Sequence, residues 1–231
     1  MRRYFATLAL AGLVAATGSA AAIKPTTSLA ATERSSASER FVFDVYYNDR
    51  RIGEHEFQVQ RQDGEVRVQS LANFVVRLLF VPVYRYRHEA QELWQSGCLQ
   101  SLESTTNDNG DRFALALQPE PSTASTGLRL SKWAPEPTTV TLTDPCPATF
   151  AYWDLELLQR GQLINTQTGD VGPAQLIDQG TEPLGGTMAR RFTLDVEDTG
   201  QIDLWYRASD HQWLGLATQR DGGTLRYRAR T

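Results

Sequence analysis

The sequence predicts an all-β protein in which mainly antiparallel strands form a single curved sheet, a barrel or half-barrel, with one short helix. Segments with alternating apolar and polar residues recur along the chain, and turn-forming residues separate them, such as Asp63-Gly64 and Asp221-Gly222. Few segments between them show the helical period of 3.6 residues. With 231 residues, 41% hydrophobic and 22% charged, the composition is typical of a globular protein rather than a disordered or fibrous one.

The first 22 residues have the organisation of a secretory signal peptide. Arg2 and Arg3 precede a short apolar stretch, and small residues follow, with cleavage expected near Ala20 to Ala22. The apolar stretch is too short to span a bilayer, so we expect no transmembrane segment. These features predict export to the periplasm or secretion, and the Arg pair leaves both the general and the twin-arginine routes open.

A flexible leader is predicted next, over residues 23–40, because this stretch is rich in Ser, Thr, Ala and Glu and has no apolar period. Residues 41–231 then form a single β-rich domain, long enough for a complete core. The net charge of −4 comes from 27 acidic and 23 basic residues. Since the chain has no basic surplus, we expect no nucleic-acid partner.

Strands are predicted wherever side chains alternate or β-branched and aromatic residues cluster. In chain order these segments are 41–47, 52–60, 65–71, 83–94, 113–117, 139–142, 191–196, 202–206, 211–219 and 224–228. The exception is Phe150 to Arg160, where apolar residues lie near one helical face and Gly161 follows as a stop signal. This is the predicted helix.

The apolar run from Phe74 to Tyr84 has two interpretations. A strand buried on both faces has this composition, and this is the simpler one. The alternative is an apolar flap or mouth segment that touches lipid or closes over a ligand. Pro82 argues against a central strand at that position because proline has no N–H to donate.

The chain contains two cysteines, Cys98 and Cys146. Export would place them where disulfides persist, and we expect a structural disulfide between them. Two free thiols, or one reactive thiol, remain the alternatives.

Parity along the strands predicts the candidate ligand-binding residues, because alternate side chains share one face of a sheet. Each of the three histidines falls on a face with aromatic residues, which predicts a concave aromatic surface with a few polar groups. The simpler alternative is that each histidine is a partly buried strand residue with one hydrogen bond. The candidates are His55, Phe57, Tyr84, Tyr86, His88, Trp94, His211 and Trp213.

Motifs for catalysis or cofactor binding do not occur. The chain has no nucleophile elbow, zinc-protease helix, phosphate-binding loop or dinucleotide fingerprint, so we expect no enzymatic activity and no cofactor. The spacing of the histidines does not indicate a metal site. For a hydrolase, the candidates would be His88 with Glu92 or His211 with Asp210.

Four short segments, taken in order, resemble a family of exported bacterial proteins known only as a domain of unknown function. They are Arg51 to Phe57, Tyr84-Arg85-Tyr86 leading to Glu92-Leu93-Trp94, Asn165 to Asp170, and Leu204-Trp205-Tyr206. The resemblance covers about Phe41 to Arg228 and implies an exported β-rich protein without naming catalytic residues. The predicted shape is also similar to lipocalin-like and lipoprotein-carrier half-barrels, by analogy of fold alone.

The sequence therefore favours a non-enzymatic protein that binds an apolar or lipid ligand inside a curved sheet. A structural or partner-binding protein of the cell envelope, docking another envelope protein, is the first alternative. An envelope hydrolase is the second.

Overall fold

The structure, a computed structural model, describes residues 36–120, 127–133, 136–197 and 200–230. The predicted signal peptide, and residues 23–35 of the predicted leader, lie outside the described residues. Fourteen strands follow one another along the described chain. They are β1 (Ser36–Tyr47), β2 (Arg50–Gln62), β3 (Glu65–Leu78), β4 (Val81–Gln95), β5 (Cys98–Asp108), β6 (Asp111–Pro119), β7 (Leu128–Lys132), β8 (Thr138–Leu142), β9 (Gln162–Ile164), β10 (Val171–Leu184), β11 (Thr187–Val196), β12 (Gly200–Arg207), β13 (Trp213–Arg220) and β14 (Gly223–Ala229).

The strands form one antiparallel sheet, which confirms the predicted fold class. Their order is β8-β7-β6-β5-β4-β3-β2-β1-β14-β13-β12-β11-β10-β9, so the sheet is not closed and β8 and β9 are its edges. Near the middle, β1 pairs with β14, with Val45 opposite Tyr227. Side chains from β2–β4 and from β12–β14 line one common cavity, which requires the sheet to curve around it. The result is a barrel-like half-shell.

The first strand begins at Ser36, five residues before the predicted start at Phe41. Residues 36–40, the last five of the predicted leader, belong to β1 because β2 is long enough to pair with them. Ser36 lies opposite Gln62 in the ladder, and the Arg40 guanidinium forms an ion pair of 2.5 Å with Glu56. A polar composition does not prevent a strand from forming when a paired neighbour supplies its hydrogen bonds.

The predicted helix at Phe150 to Arg160 is reduced to one 3-10 turn at Leu157–Gln159. Local bonds replace the helical ladder: the Tyr152 N–H donates to the Phe150 carbonyl, and the Glu156 N–H donates to the Asp154 carboxylate. Irregular backbone lets the segment follow the curved sheet. We call residues 143–170, which contain this turn and β9, the inner segment.

The inner segment fills one half of the concave face. Its side chains pack with those of the sheet in one large core, and a disulfide between Cys98 and Cys146 joins the start of the segment to the first residue of β5, with 4.6 Å between the Cα atoms. The Arg160 guanidinium strengthens this junction by donating to the carbonyls of Gly97 and Cys146. The buried residues of the inner segment are Pro147, Ala148, Thr149, Ala151, Trp153, Leu157, Leu158, Leu163, Ile164 and Gly169.

The apolar run from Phe74 to Tyr84 is a hairpin rather than a strand buried on both faces. The turn between β3 and β4 falls at Leu79-Phe80, and the Phe80 side chain is 93% exposed. Pro82 pairs with Arg77 of β3, and the pairing of β4 with β5 begins only at Tyr86. The missing N–H of Pro82 therefore breaks no hydrogen bond to β5. Within the described residues, no helix is long and apolar enough to cross a membrane.

Candidate functional site

A cavity of about 680 Å³ lies between the sheet and the inner segment. Aromatic and aliphatic side chains make up most of its wall, with Phe74 stacked on Tyr86 at 5.2 Å between ring centroids. The exposed residues Arg220 and Asp221 complete the lining at one end of the sheet, so the cavity opens there. Its apolar and aromatic lining comprises Tyr47, Ile52, Phe57, Val68, Phe74, Val76, Tyr84, Tyr86, Ala90, Phe150, Tyr152, Trp153, Ile202, Leu216, Leu225 and Tyr227.

His55 stands on β2 in the cavity wall, held by contacts on several sides. One ring nitrogen, Nε2, lies 2.8 Å from the Ser70 hydroxyl on β3, and the other, Nδ1, lies 3.3 Å from the Tyr227 hydroxyl on β14. The ring also stacks on Phe57 at 4.1 Å. Both nitrogens are therefore satisfied, and His55 connects β3 with β14 on the concave face.

His88 occupies the corresponding position on β4. Its Nδ1 lies 2.8 Å from the Thr106 hydroxyl on β5, and its Nε2 lies 3.3 Å from the Thr166 hydroxyl of the inner segment. The Ser104 hydroxyl fixes that part of the inner segment by donating to the Thr166 carbonyl at 2.6 Å. His88 thus helps to hold the inner segment against the sheet.

Burial keeps both cavity histidines uncharged near neutral pH. It lowers the pKa of His88 to about 4 and, with the nearby His88 ring, holds the pKa of His55 well below its usual value of 6.5. The hydroxyl partners on both rings can donate to or accept from a neutral imidazole. The middle of the cavity therefore carries no histidine charge.

Glu92 is a half-buried acid of the cavity wall. The indole N–H of Trp94 donates to one carboxyl oxygen at 2.8 Å, and the Thr149 hydroxyl donates to the other at 3.1 Å. No basic side chain pairs with it in the described part of the chain, and burial raises its pKa to about 7. Near neutral pH this carboxyl is a mixture of its neutral and charged forms.

The mouth of the cavity, formed by Tyr47, Tyr84, Asp108, Arg220 and Asp221, is polar. The Tyr84 hydroxyl donates to Asp108 at 2.6 Å. Just inside, the Gln167 side chain accepts from the Tyr86 hydroxyl at 3.1 Å and donates to Asp108 at 3.2 Å. Arg220 forms no ion pair within the described residues. A cavity with an apolar interior and a hydrogen-bonding mouth suits an amphipathic molecule.

The structure brings five of the eight predicted site residues together in the cavity wall: His55, Phe57, Tyr84, Tyr86 and His88. Two others lie in the core. Trp94 packs edge-on against Trp153 at 5.9 Å, and Trp213 lies 4.1 Å from the Phe43 ring.

His211 lies apart from this group. It sits in the exposed turn before β13 with φ of 58°, because that strand begins only at Trp213. The predicted strand from His211 and its shared face with Trp213 are therefore wrong. His211 borders a second cleft of about 900 Å³, whose wall is mainly polar and charged and includes Arg61, Asp154 and Arg190.

Sequence reasoning missed several residues of the cavity. Ser70 and Tyr227 lie within the predicted strands 65–71 and 224–228, but neither is among the candidate residues. The inner segment contributes Phe150, Tyr152 and Trp153, which were predicted as helix. Ser70 lies opposite Phe57 in the β2–β3 ladder, which places it diagonally across from His55. The alternation of side chains within one strand does not reveal how two strands are aligned, so this contact could not be predicted.

Neither pair considered for hydrolysis is hydrogen-bonded. The bonds of His88 go to threonines and those of Glu92 to Trp94 and Thr149, while Asp210 accepts from Arg207 and from the Gln212 N–H. Within the described residues, no group of three or more His, Cys, Asp or Glu side chains is placed to hold a metal ion.

Comparisons with known proteins agree with this architecture. A family model with the description Domain of unknown function (DUF6134) matches residues 43–230. The chain is also similar to a solved β-barrel-like protein of domain of unknown function DUF1849 from Brucella abortus, with 10% identity and a TM-score of 0.59 over 83% of this chain and 95% of that chain. At this identity the likeness concerns the fold alone. The comparison with curated proteins returned no match.

Proposed function

We propose that this chain, which belongs to the family described as Domain of unknown function (DUF6134), is an exported protein that binds an apolar or lipid ligand in its cavity without changing it chemically. The observation that carries the proposal is the cavity of about 680 Å³. Small-molecule sites range over roughly 300–1,000 Å³ and are mostly apolar with a few convergent polar groups. This cavity has both properties.

The polarity of the cavity favours an acyl chain with a polar head group. Its interior presents Phe57, Phe74 and Ile202 together with two histidines that burial keeps neutral. An apolar chain would displace water from these surfaces, which is favourable in proportion to the area covered. The head group would meet the Gln167 amide and the Arg220 guanidinium at the mouth.

Export is supported by two independent features. Residues 1–22 have the order of a signal peptide, with a basic start, an apolar middle and small residues at the end. Cys98 and Cys146 are paired in a disulfide, and disulfides persist mainly in oxidising compartments. The periplasm or the extracellular space is therefore the proposed location.

Native mass spectrometry of protein purified from its host tests the ligand directly. We expect an added mass that organic extraction releases as a lipid. Val76→Trp, which places a large ring in the cavity wall, should carry less of this mass, whereas Val75→Trp is the matched control on the same strand because Val75 does not line the cavity. If both variants carry as much ligand as the wild type, the cavity is not the binding site.

One observation favours a hydrolase as a second candidate. The Ser70 hydroxyl lies 2.8 Å from His55 Nε2, the contact that a serine nucleophile makes with its base. Against it, the partner of the other His55 nitrogen is Tyr227 rather than a carboxylate, and Ser70 lies within a strand paired on both sides. Paired strands leave few free N–H groups for an oxyanion hole.

A fluorophosphonate probe distinguishes the two candidates. Such probes bond covalently to activated serines, so a hydrolase would be labelled at Ser70, and Ser70→Ala would abolish the label. The binding proposal predicts no label on the wild type and unchanged lipid recovery after prolonged incubation.

A further inference from the structure

At the mouth end of the sheet, the β3–β4 hairpin continues beyond its pairing with both neighbouring strands. Pairing with β2 ends at Phe74, opposite Gly53, and pairing with β5 ends at Tyr86, opposite Asp108. Residues 75–84 therefore have ladder partners only within the hairpin, while Arg85 also exchanges hydrogen bonds with Asn109 of the β5–β6 turn. The end of this projection, which we call the hairpin tip, consists of Leu78, Leu79, Phe80 and Val81.

The hairpin tip is exposed and apolar on both faces. Leu79 and Phe80 are 82% and 93% exposed, and the paired residues Leu78 and Val81 are 65% and 64% exposed. Successive residues of a strand point to opposite faces, so an uninterrupted apolar run leaves neither face polar. A groove on a partner protein would cover one face of a hairpin, whereas an apolar medium surrounds both.

The turn itself differs from the other two-residue turns of the sheet. Leu79 adopts φ of 56°, a region that glycine and asparagine occupy at lower conformational cost than leucine. Burial of the Leu79 side chain in an apolar medium would offset that cost. The corresponding turns carry Asn48-Asp49, Asp63-Gly64, Ser96-Gly97, Asn109-Gly110, Gly185-Gly186 and Asp221-Gly222.

Unpaired arginines flank the hairpin tip. Arg77 and Arg85 lie on its two strands just behind the apolar residues, are exposed, and form no ion pair within the described residues. Arg112 and Arg220 lie beside the neighbouring turns at the same end of the sheet and likewise form no ion pair within the described residues. Each is next in sequence to an acidic residue, Asp111 or Asp221. Elsewhere on the sheet arginines are commonly paired, as Arg40 with Glu56, Arg61 with Glu39 and Arg190 with Asp178.

We propose that the hairpin tip inserts into the interface of an anionic lipid bilayer, with Arg77 and Arg85 at the level of the lipid phosphates. An exposed apolar tip followed by cationic side chains matches the depth profile of a membrane interface. The proposal does not depend on the ligand of the cavity. Since Val76 and Tyr84 belong to both the hairpin and the cavity wall, insertion would bring the mouth to the bilayer surface.

Flotation with lipid vesicles tests the proposal. The wild type should float with vesicles of phosphatidylglycerol and phosphatidylethanolamine, and more weakly with phosphatidylcholine alone. Leu79→Glu combined with Phe80→Glu should weaken association at least about tenfold, because two apolar side chains no longer enter the bilayer. The matched control, Ile177→Glu combined with Met188→Glu, makes the same change in charge at exposed apolar sites away from the hairpin tip and should retain most binding.

The arginines are tested separately. Arg77→Gln combined with Arg85→Gln should reduce binding to the anionic vesicles and leave the weaker binding to phosphatidylcholine nearly unchanged. A fluorophore attached at Phe80→Cys should shift to shorter emission wavelengths on adding anionic vesicles, whereas the same fluorophore at Asn109→Cys, on the neighbouring turn, should shift less.

Three results would overturn the proposal. A wild type that floats with neither kind of vesicle shows that the hairpin tip does not bind lipid bilayers. A tip variant that floats as well as the wild type shows that another surface does. A wild-type dimer that Phe80→Glu separates in sedimentation shows that a second copy covers the hairpin tip. Lipid recovery from the same tip variant reports separately on the cavity proposal.

Discussion

The two halves of the concave face are occupied in opposite ways. In one half, residues of the inner segment such as Leu158 and Ile164 pack against the sheet and are at most 1% exposed. In the other half, Phe74 packs with Val45 and Ala72 in a small cluster and lines the cavity, and the inner segment forms only part of the cavity wall. We call the half that the inner segment covers the closed half, and the half that contains the cavity the open half. The same sheet thus supports a close-packed core and an open site side by side.

This difference shows how a single sheet combines stability with binding. Close packing between the sheet and the inner segment stabilises the fold, and the Cys98–Cys146 disulfide fixes the start of that segment. The open half gives up part of that packing, and its polar groups are satisfied by one another, as His55 is by Ser70 and Tyr227. Changes in the closed half should therefore affect stability more than equivalent changes in the open half.

Removal of the disulfide should have the largest effect. Its two cysteines are separated by 48 residues, and closing a loop of this length stabilises a fold by about 4 kcal/mol in the chain-entropy description. We expect Cys98→Ser combined with Cys146→Ser to lower the free energy of unfolding by about this amount. Denaturant unfolding measures the loss.

Hydrogen exchange locates that loss within the sheet. In the same double variant, the amide of Leu99, which donates to the Pro147 carbonyl, and that of Ile164, which donates to the Ala148 carbonyl, should exchange faster. Amides between β2 and β3 should change less. Equal acceleration in both places would contradict a separate role for the closed half.

Glu92 should give the next largest effect, as a dependence on pH. Burial raises its pKa from 4.5 to about 7, so the folded protein holds this proton more tightly than the unfolded chain does. Stability gained from the neutral form is fully present below about pH 4.5 and is lost as the pH rises through about 7. The difference in unfolding free energy between wild type and Glu92→Gln should change by about 3 kcal/mol over this range, in favour of the variant at high pH.

The comparison with Glu92→Gln also removes the contribution of the histidines. The lowered pKa values of His55 and His88 make both proteins less stable as the pH falls below about 6.5, so this slope cancels in the difference. Denaturant unfolding at several pH values measures it. A difference that stays constant from about pH 4.5 to about pH 8.5 would mean that Glu92 is not held in its neutral form.

Enlarging two buried alanines, one that lines the cavity and one that does not, gives the smallest expected effect and the closest contrast. Ala148 is fully buried in the inner segment, and Ala148→Leu should lower the free energy of unfolding by about 1–3 kcal/mol through overpacking. Ala90 lines the cavity, so Ala90→Leu should cost less than about 1 kcal/mol because its new atoms extend into the cavity rather than into packed side chains. Equal losses in thermal unfolding would show that the cavity is not open.

Much of the fold could be predicted from the sequence because its turns are local signals. Asp63-Gly64, Asn109-Gly110 and Asp221-Gly222 each adopt positive φ between two strands, which is what those residue types favour. The helix was overestimated because apolar spacing at Phe150 to Arg160 reflects contact with a curved sheet rather than a helical stripe. Tertiary packing overrode the local pattern there.

The candidate site could be predicted only in part. Parity placed His55, Tyr84, Tyr86 and His88 on inward faces, because these residues lie well inside their strands. It failed for His211, which precedes its strand, and it could not show that Trp94 and Trp213 would be covered by other core residues. Burial depends on how distant segments pack, which one strand's alternation does not encode.

Nuclear magnetic resonance of the three histidine rings tests the cavity proposal most directly. His55 and His88 line the cavity, and His211 lies in an exposed turn outside it, so the protein contains its own control. On titration with dodecanoate, the ring signals of His55 and His88 should shift and saturate together while those of His211 stay in place. Unchanged signals from His55 and His88, or shifts confined to His211, would contradict the proposal that the cavity binds an apolar ligand.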